Sequence, residues 1–213
     1  MSLKLVILDC DGVMFESFRS NVEYYNSVLD RMGEPRLSPE GTHLCHVYST
    51  PQVFAYVFRD QPEKIQRAES IAYSLDMTPF LEYMDPEPGL MEVLAELKRQ
   101  YKVAMATNRG RSVPALLTHF GLEKTFDYVS TILDVPKPKP APDLLLHCLS
   151  QAMVTPEEAT YVGDMENDRI ASLAAGIPFI AKGNDLSHYW KIDRLTELPD
   201  FLATRFHDTR EGL

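Results

Sequence analysis

Leu5-Val6-Ile7-Leu8-Asp9-Cys10-Asp11-Gly12-Val13 is the stretch from which the fold of this 213-residue chain can be inferred. Four apolar residues run directly into two carboxylates, and this pattern predicts a strand buried on both faces of a parallel sheet. Ligands of open α/β sheets bind at the carboxyl ends of strands. Because Asp9 and Asp11 are two residues apart, they project to the same side of the chain and can share one site. Carboxylates held so close repel each other unless a cation or a proton intervenes.

Strands and helices alternate in the sequence beyond residue 86. The hydrophobic pattern predicts strands at 102–107, 128–133, 159–162 and 178–181, with a helix after each of them or between them. Such alternation is typical of parallel strands joined by right-handed crossovers. The sequence therefore predicts an α/β fold with a doubly wound, Rossmann-like parallel sheet.

Residues 15–85 interrupt this alternation and contain no predicted strand. Apolar residues recur there at helical spacing, which predicts helices that include 18–29, 53–58 and 65–81, with Gly33 as the stop of the first. Prolines and a glycine predict a connector at 34–42, and Asp-Pro-Glu-Pro-Gly at 85–89 predicts a stiff boundary. We therefore expect a catalytic core made of residues 1–14 and 86–213, and an inserted all-helical subdomain at 15–85.

The composition excludes several classes of protein. An apolar fraction of 45% and a charged fraction of 24% are ordinary for a globular domain. The formal net charge of -10 argues against a nucleic-acid partner, because such proteins carry a basic surface. No apolar run is long enough for a membrane span or a signal peptide, so we expect a cytoplasmic protein without membrane partners. Three widely spaced cysteines predict reduced thiols, and no feature predicts an oligomeric state.

Polar side chains are predicted at four places along one edge of the sheet. They are Asp9 with Asp11, Thr107 with Asn108, Lys139, and Asp164 with Asp168. Several carboxylates at one edge require a cation, and oxygen ligands without histidine or cysteine favour Mg²⁺. A lysine and a hydroxyl beside that cation favour a bound anion, for which phosphate is the natural choice.

These motifs together resemble those of the haloacid dehalogenase-like (HAD) superfamily, in the branch that includes phosphoglycolate phosphatases. The stretch 9–13 resembles the first motif, Asp-x-Asp-Gly-Thr/Val, and Thr107 matches the hydroxyl of the second. Lys139-Pro140-Ala141-Pro142-Asp143 matches the third motif, and Gly163-Asp164 to Asp168 matches the acidic fourth. The insertion at 15–85 is similar to the helical cap of such enzymes.

The resemblance implies a Mg²⁺-dependent phosphatase that acts on a small phosphorylated metabolite. Asp9 would attack phosphorus and form an aspartyl-phosphate, and Asp11 would serve as acid and then base. The metal site would comprise Asp9, the backbone carbonyl of Asp11, and Asp164, with Asp168 supporting it. Thr107, the amide of Asn108, and Lys139 would bind the phosphoryl group. Lys137 lies in a similar Lys-Pro-x-Pro frame and competes with Lys139, which we favour because a helix follows it.

Two other functions stay open at this point. A β-phosphoglucomutase-like phosphosugar mutase shares every core motif. A regulatory protein on a hydrolase core is the other alternative, although it is expected to have lost a catalytic carboxylate. Asp11 argues against dehalogenases, which lack an acid two residues after the nucleophile. Arg109 and Arg19 could reach the substrate, although we expect each of them to be a surface arginine.

Overall fold

The structure, a computed structural model, describes residues 2–47, 50–183, 186 and 190–206. Met1 and residues 207–213, which the sequence assigns to the core, lie outside this described part. The chain divides into two compact units, one made of Met1–Glu16 with Pro86–Leu213 and the other of Ser17–Asp85. No helix in the described ranges is long and apolar enough to cross a membrane.

The first unit is built on a parallel sheet. In chain order the strands of the protein are β1 (Leu5–Leu8), β2 (Phe15–Glu16), β3 (Asp85–Pro86), β4 (Lys102–Ala106), β5 (Tyr128–Ser130), β6 (Ala159–Gly163), β7 (Phe179–Lys182) and β8 (Trp190–Ile192). Six of them form one sheet in the order β5-β4-β1-β6-β7-β8, with every pairing parallel, while β2 pairs with β3. This sheet confirms the predicted α/β fold.

Strand β1 lies at the centre of the large sheet because its whole run is apolar. All four of its residues are fully buried, with Ile7 packing on one face and Val6, by the alternation of a strand, on the other. Leu8 pairs with Met105 of β4 and with Val162 of β6. The chain therefore leaves β1, β4 and β6 at the same edge, which brings the residues that follow these strands together.

Helices cover this sheet and also form the second unit. They are α1 (Phe18–Met32), α2 (Pro39–Val47), α3 (Thr50–Phe58), α4 (Pro62–Ser74), α5 (Leu90–Leu97), α6 (Val113–His119), α7 (Asp143–Ala152), α8 (Glu166–Ala175) and α9 (Leu198–Phe206). Apolar residues of α7 and α8, including Leu145 and Ala171, pack in one cluster with Leu5 and Ile7 of the sheet. The second unit packs α1–α4 around a core of its own that includes Tyr25, Phe54 and Phe80.

The second unit differs from the sequence-based prediction in two places. Helix α2 begins at Pro39, inside the predicted connector 34–42, because proline is well tolerated in the first turn of a helix. The predicted helix 65–81 is instead α4 followed by a short 3₁₀ helix at Thr78–Tyr83. Asp76 separates the two, since its Oδ1 accepts hydrogen bonds from the backbone N–H of Thr78 at 3.0 Å and from the Thr78 hydroxyl at 2.8 Å. Gly33, with a φ of 71°, ends α1 as predicted.

Candidate active site

Three strand ends bring the predicted polar residues to one edge of the sheet. Asp9 follows β1, Thr107 follows β4, and Asp164 follows β6. These strands are neighbours and run in parallel, so their ends are adjacent. Asp9, Thr107 and Asp164 are all largely buried, with exposures of 7%, 1% and 6%. Buried polar groups need partners, and their partners define the chemistry of this edge.

Lys139 is the cation at the centre of this group. Its Nζ lies 2.7 Å from Oδ1 of Asp9 and 2.7 Å from Oδ1 of Asp168, and its side chain is only 4% exposed. The same Nζ donates to the hydroxyl of Tyr161 at 2.9 Å. The two carboxylates raise the pKa of Lys139 although burial acts to lower it, so the ammonium stays charged. Lys137, by contrast, is exposed, so of the two lysines Lys139 is the one at this edge.

The loop after β4 fixes the backbone of Lys139. The side-chain carbonyl of Asn108 accepts from the Lys139 N–H at 2.9 Å, and its amide donates to the Lys139 carbonyl at 3.1 Å. The hydroxyl of Thr107 accepts from the backbone N–H of Arg109 at 3.0 Å. The side chain of Asn108 therefore positions the lysine, a contact that the sequence pattern did not predict.

Asp168 is held by the start of α8 and by Tyr161. Its Oδ2 accepts from the backbone N–H groups of Met165, at 3.0 Å, and Asp164, at 3.2 Å. The Tyr161 hydroxyl donates to Oδ1 of Asp168 at 2.8 Å. An acidic residue in the first turn of a helix and a fully satisfied hydroxyl both stabilise this arrangement. Asp168 therefore serves as a buried anchor for Lys139.

Three carboxylates at this edge fit a hard divalent cation. One oxygen from each of Asp9, Asp164 and Asp168 lies within 4.8 Å of the others. Burial and the neighbouring carboxylates raise the pKa of Asp9, and burial and Asp168 raise that of Asp164 to about 7. A bound cation stabilises the ionised form of such carboxylates, which burial and mutual repulsion make unfavourable. A donor set made only of oxygen atoms suits Mg²⁺. The residues present therefore fit the metal that the motifs imply.

The side chain of Asp11 has a different partner. Arg109 donates from Nε to Oδ2 of Asp11 at 2.8 Å and from Nη2 to Oδ1 at 2.7 Å. The structure thus gives the two carboxylates of the first motif separate cations, Lys139 for Asp9 and Arg109 for Asp11. The expectation that Arg109 is a surface arginine is wrong, because its side chain is only 8% exposed. Arg19 is exposed, and its guanidinium lies over the ring of Tyr83.

The backbone after β1 is tied to other parts of the first unit. Gly12 has a φ of 73°, and a Cβ at this position would lie 2.0 Å from Oδ2 of Asp164. Lys182, at the end of β7, donates from Nζ to the Gly12 carbonyl at 3.0 Å and to the carboxylate of Glu87. The Glu87 N–H in turn donates to the Met14 carbonyl at 2.9 Å. These bonds hold the segments on either side of the insertion together.

The sequence analysis did not predict the roles of several of these residues, among them Tyr161, Lys182 and Arg109. Tyr161 gave a usable signal, since a tyrosine inside an apolar strand, two residues before Gly163, needs a partner for its hydroxyl. Lys182 gave a weaker one, as a lysine at the last position of a buried strand. Arg109 gave none, because only the fold shows that Asp11 lies within its reach.

Comparisons with known proteins show which family and which solved structures this chain is similar to. A family model described as haloacid dehalogenase-like hydrolase matches residues 6–182. A solved structure of a HAD-superfamily hydrolase of subfamily IA, variant 1, from Geobacter sulfurreducens has a TM-score of 0.81 and 36% identity, and the match covers 94% of this chain and 96% of that one. The tyrosine-protein kinase PtkA of Mycobacterium tuberculosis is 27% identical over 215 residues, covering 100% of this chain and 73% of the relative. A phosphoglycolate phosphatase of Nitrosococcus oceani is 26% identical over 193 residues, covering 87% of this chain and 86% of the relative.

Proposed function

Because the chain belongs to the haloacid dehalogenase-like hydrolases, we propose that it is a Mg²⁺-dependent phosphatase of a small organic phosphomonoester. The observation that carries this proposal is the convergence of Asp9, Asp164 and Asp168 with Lys139 at one edge of the sheet. Similarity to phosphoglycolate phosphatases over most of the chain supports an ester of a small acid as substrate. A hydrolase function is also consistent with the sequence, which contains all four expected acidic residues: Asp9, Asp11, Asp164 and Asp168.

Asp9 is the nucleophile in this proposal. Its carboxylate attacks phosphorus while the ester oxygen leaves, and an aspartyl-phosphate forms that water then hydrolyses. Lys139 holds Asp9 in place at 2.7 Å and brings positive charge to the transferring phosphoryl group. The Thr107 hydroxyl and the backbone amide of Asn108 bind the phosphoryl oxygens.

Asp11 is the acid and base. It gives a proton to the leaving alcohol in the first step and takes one from the attacking water in the second. A Mg²⁺ ion held by Asp9, the backbone carbonyl of Asp11 and Asp164 would neutralise charge on the phosphoryl oxygens. Asp168 supports this set through Lys139 and Tyr161, at 2.7 and 2.8 Å.

We also propose that the helical unit Ser17–Asp85 is the cap that selects the substrate. It has its own apolar core and is inserted directly after the segment that carries Asp9 and Asp11. An insertion at this place can exclude water from the reacting groups and add substrate contacts without altering the sheet. Residues that choose the alcohol part of the ester are therefore expected in this unit as well as at the sheet edge.

A steady-state assay of phosphate release tests the proposal. We expect hydrolysis of p-nitrophenyl phosphate and of 2-phosphoglycolate when Mg²⁺ is present, and none with EDTA. Asp9→Asn should abolish release, whereas Asp200→Asn, which removes an exposed carboxylate on α9, should leave it unchanged. Absence of release from a broad panel of phosphorylated metabolites would refute the proposal.

Transfer of the phosphoryl group to an acceptor other than water is the second candidate. It is favoured by the similarity of the whole chain to a tyrosine-protein kinase, and a mutase that transfers to a sugar belongs to the same class of reaction. Product analysis separates the two functions. A hydrolase yields free phosphate in amounts equal to the alcohol released, whereas a transferase yields a newly phosphorylated acceptor.

A further inference from the structure

The ion pair between Arg109 and Asp11 occupies both oxygens of the proposed acid and base. Nε of Arg109 donates to Oδ2 at 2.8 Å, and Nη2 donates to Oδ1 at 2.7 Å. An acid that serves a leaving group must place one of its oxygens within hydrogen-bond reach of that group. Each oxygen keeps a second lone pair, but the two bonds to Arg109 hold the carboxylate in one orientation, and opening one of them frees Asp11 to turn toward that group. The pair is therefore an arrangement that an arriving substrate can change.

Arg109 cannot simply lose its counter-ion when this happens. Its side chain is 8% exposed, and an uncompensated charge at such depth is strongly unfavourable. Asp9, the other carboxylate that acts on the charge of Arg109, is already bound by Lys139. An anionic group of the substrate can replace Asp11 at the guanidinium and keep this buried charge compensated.

We propose that Arg109 is a specificity-determining residue that exchanges Asp11 for a second anionic group of the substrate, beyond the phosphoryl group itself. This inference rests on the proposed phosphatase function. The guanidinium already holds a carboxylate by two parallel hydrogen bonds, and a substrate carboxylate can take the same geometry. Its place in the loop after β4, next to Thr107, puts it beside the proposed phosphoryl site. The substrate class is thus phosphomonoesters that carry a nearby carboxylate or second phosphate.

The exchange also couples substrate choice to catalysis. The second anionic group of a substrate binds the guanidinium of Arg109, and Asp11 is then free to contact the leaving group. A phosphomonoester with a neutral hydroxyl in the same place provides no replacement, so Asp11 stays bound to Arg109. Substrates with and without a second anionic group are therefore expected to differ in kcat as well as in KM. This difference should disappear when Arg109 is replaced.

Two substrate pairs that differ only in a carboxylate or a hydroxymethyl group test the inference. They are 2-phosphoglycolate against 2-hydroxyethyl phosphate, and 3-phosphoglycerate against glycerol 3-phosphate. We expect the wild type to favour the carboxylate member of at least one pair by about tenfold or more in kcat/KM. Arg109→Gln should bring that ratio close to one, mainly by weakening the reaction of the anionic substrate, and Arg109→Lys should restore part of it. Arg99→Gln, which removes an exposed positive charge beyond α5, should keep the wild-type ratio.

The outcomes separate this inference from the proposed function. Equal kcat/KM within both pairs for the wild type would overturn the inference, as would an unchanged ratio in Arg109→Gln or an equal loss on both members of each pair. An equal loss is what a purely structural role of Arg109 predicts. If the wild type releases no phosphate from p-nitrophenyl phosphate or from any of the four substrates, the proposed function itself fails. Thermal unfolding of both Arg109 variants checks that they are folded.

Discussion

Gly12 lies so close to Asp164 that the two residues leave no space for a side chain at position 12. A Cβ there would be 2.0 Å from Oδ2 of Asp164, and the φ of Gly12 is 73°. The backbone that follows the proposed nucleophile is thus packed against a proposed metal ligand. Glycine is required here both by the left-handed backbone and by the contact.

Substitution of Gly12 by alanine should therefore disturb the site as well as the backbone. Gly33 provides a matched control, because its φ is 71° and nothing lies within 4 Å of its missing Cβ. We expect Gly33→Ala to lower the free energy of unfolding by about 1–2 kcal/mol, the cost of the left-handed conformation alone. Gly12→Ala should cost more than that and should also reduce stabilisation by Mg²⁺, as measured by urea unfolding with and without the ion. Equal losses in the two variants would show that the contact with Asp164 is unimportant.

Removal of Lys139 should be far more damaging than removal of Lys137. Lys139→Met leaves the buried carboxylates of Asp9 and Asp168 without their cation, so we expect a loss of about 3–5 kcal/mol in the free energy of unfolding. Lys137→Met changes an exposed residue of the same proline-rich segment and should stay within about 0.5 kcal/mol of the wild type. Denaturant unfolding measures both. The assignment of Lys139 as the structural cation would be wrong if the two variants lost similar amounts.

The Tyr161 hydroxyl should contribute to stability through its buried hydrogen bonds. It accepts from Lys139 at 2.9 Å and donates to Asp168 at 2.8 Å, so Tyr161→Phe is expected to cost about 1–3 kcal/mol. Tyr128→Phe is a suitable control, because its hydroxyl accepts a hydrogen bond from the exposed Lys102 at 3.2 Å. That variant should change the free energy of unfolding by less than about 0.5 kcal/mol. Urea unfolding that finds no difference between the two variants would contradict this prediction.

The pH dependence of stability should reveal the carboxylate of Asp164. Burial and Asp168 raise its pKa from 3.8 to about 7 in the metal-free fold, so between these values the folded state binds a proton that the unfolded state has released. Stability without metal is therefore expected to fall as pH rises from about 4 to 7, by about 1.4 kcal/mol for each unit of pKa difference at most. Thermal unfolding in EDTA across this range measures the decline.

Mg²⁺ should counter this decline, because it stabilises the ionised carboxylates and competes with the proton. The increase in Tm on adding Mg²⁺ is thus expected to be larger at pH 8 than at pH 5. Asp164→Asn should reduce both the decline and the Mg²⁺ effect, with Asp9, whose pKa is also raised, retaining its own share of the decline. Asp60→Asn, at an exposed position, should leave both unchanged. A Tm that does not change when Mg²⁺ is added at pH 8 would contradict the proposed metal site.

The parts of this molecule that could be predicted from sequence are those that depend on local pattern. The apolar run of β1 predicted a strand buried on both faces, and the alternation after residue 86 predicted a parallel sheet. Because β1 and β6 are parallel, the residues that follow them, Asp9 and Asp164, lie at the same edge of the sheet. Strand β8 was not predicted, because three residues carry too little periodicity to indicate a strand.

The parts that could not be predicted depend on which side chains meet across the fold. Sequence spacing placed the carboxylates of Asp9 and Asp11 in one site, yet they bind different cations, because Arg109 reaches Asp11 from the loop after β4. A buried guanidinium looks like a surface arginine until its partner is known. The side chain of Asn108 is a similar case, since its two bonds to Lys139 depend on the conformations of two loops.

The bonds among Gly12, Met14, Glu87 and Lys182 have a consequence for how such proteins diversify. Glu87 is bonded to Met14, and Lys182 is bonded to both Gly12 and Glu87, all within the first unit. These bonds join the two ends of the insertion within the first unit, which also contains the paired strands β1 and β4. The inserted segment is in this sense an exchangeable module. If this segment is the cap that we propose, a change in its length or sequence would alter the accepted alcohol and leave the residues at the sheet edge in place.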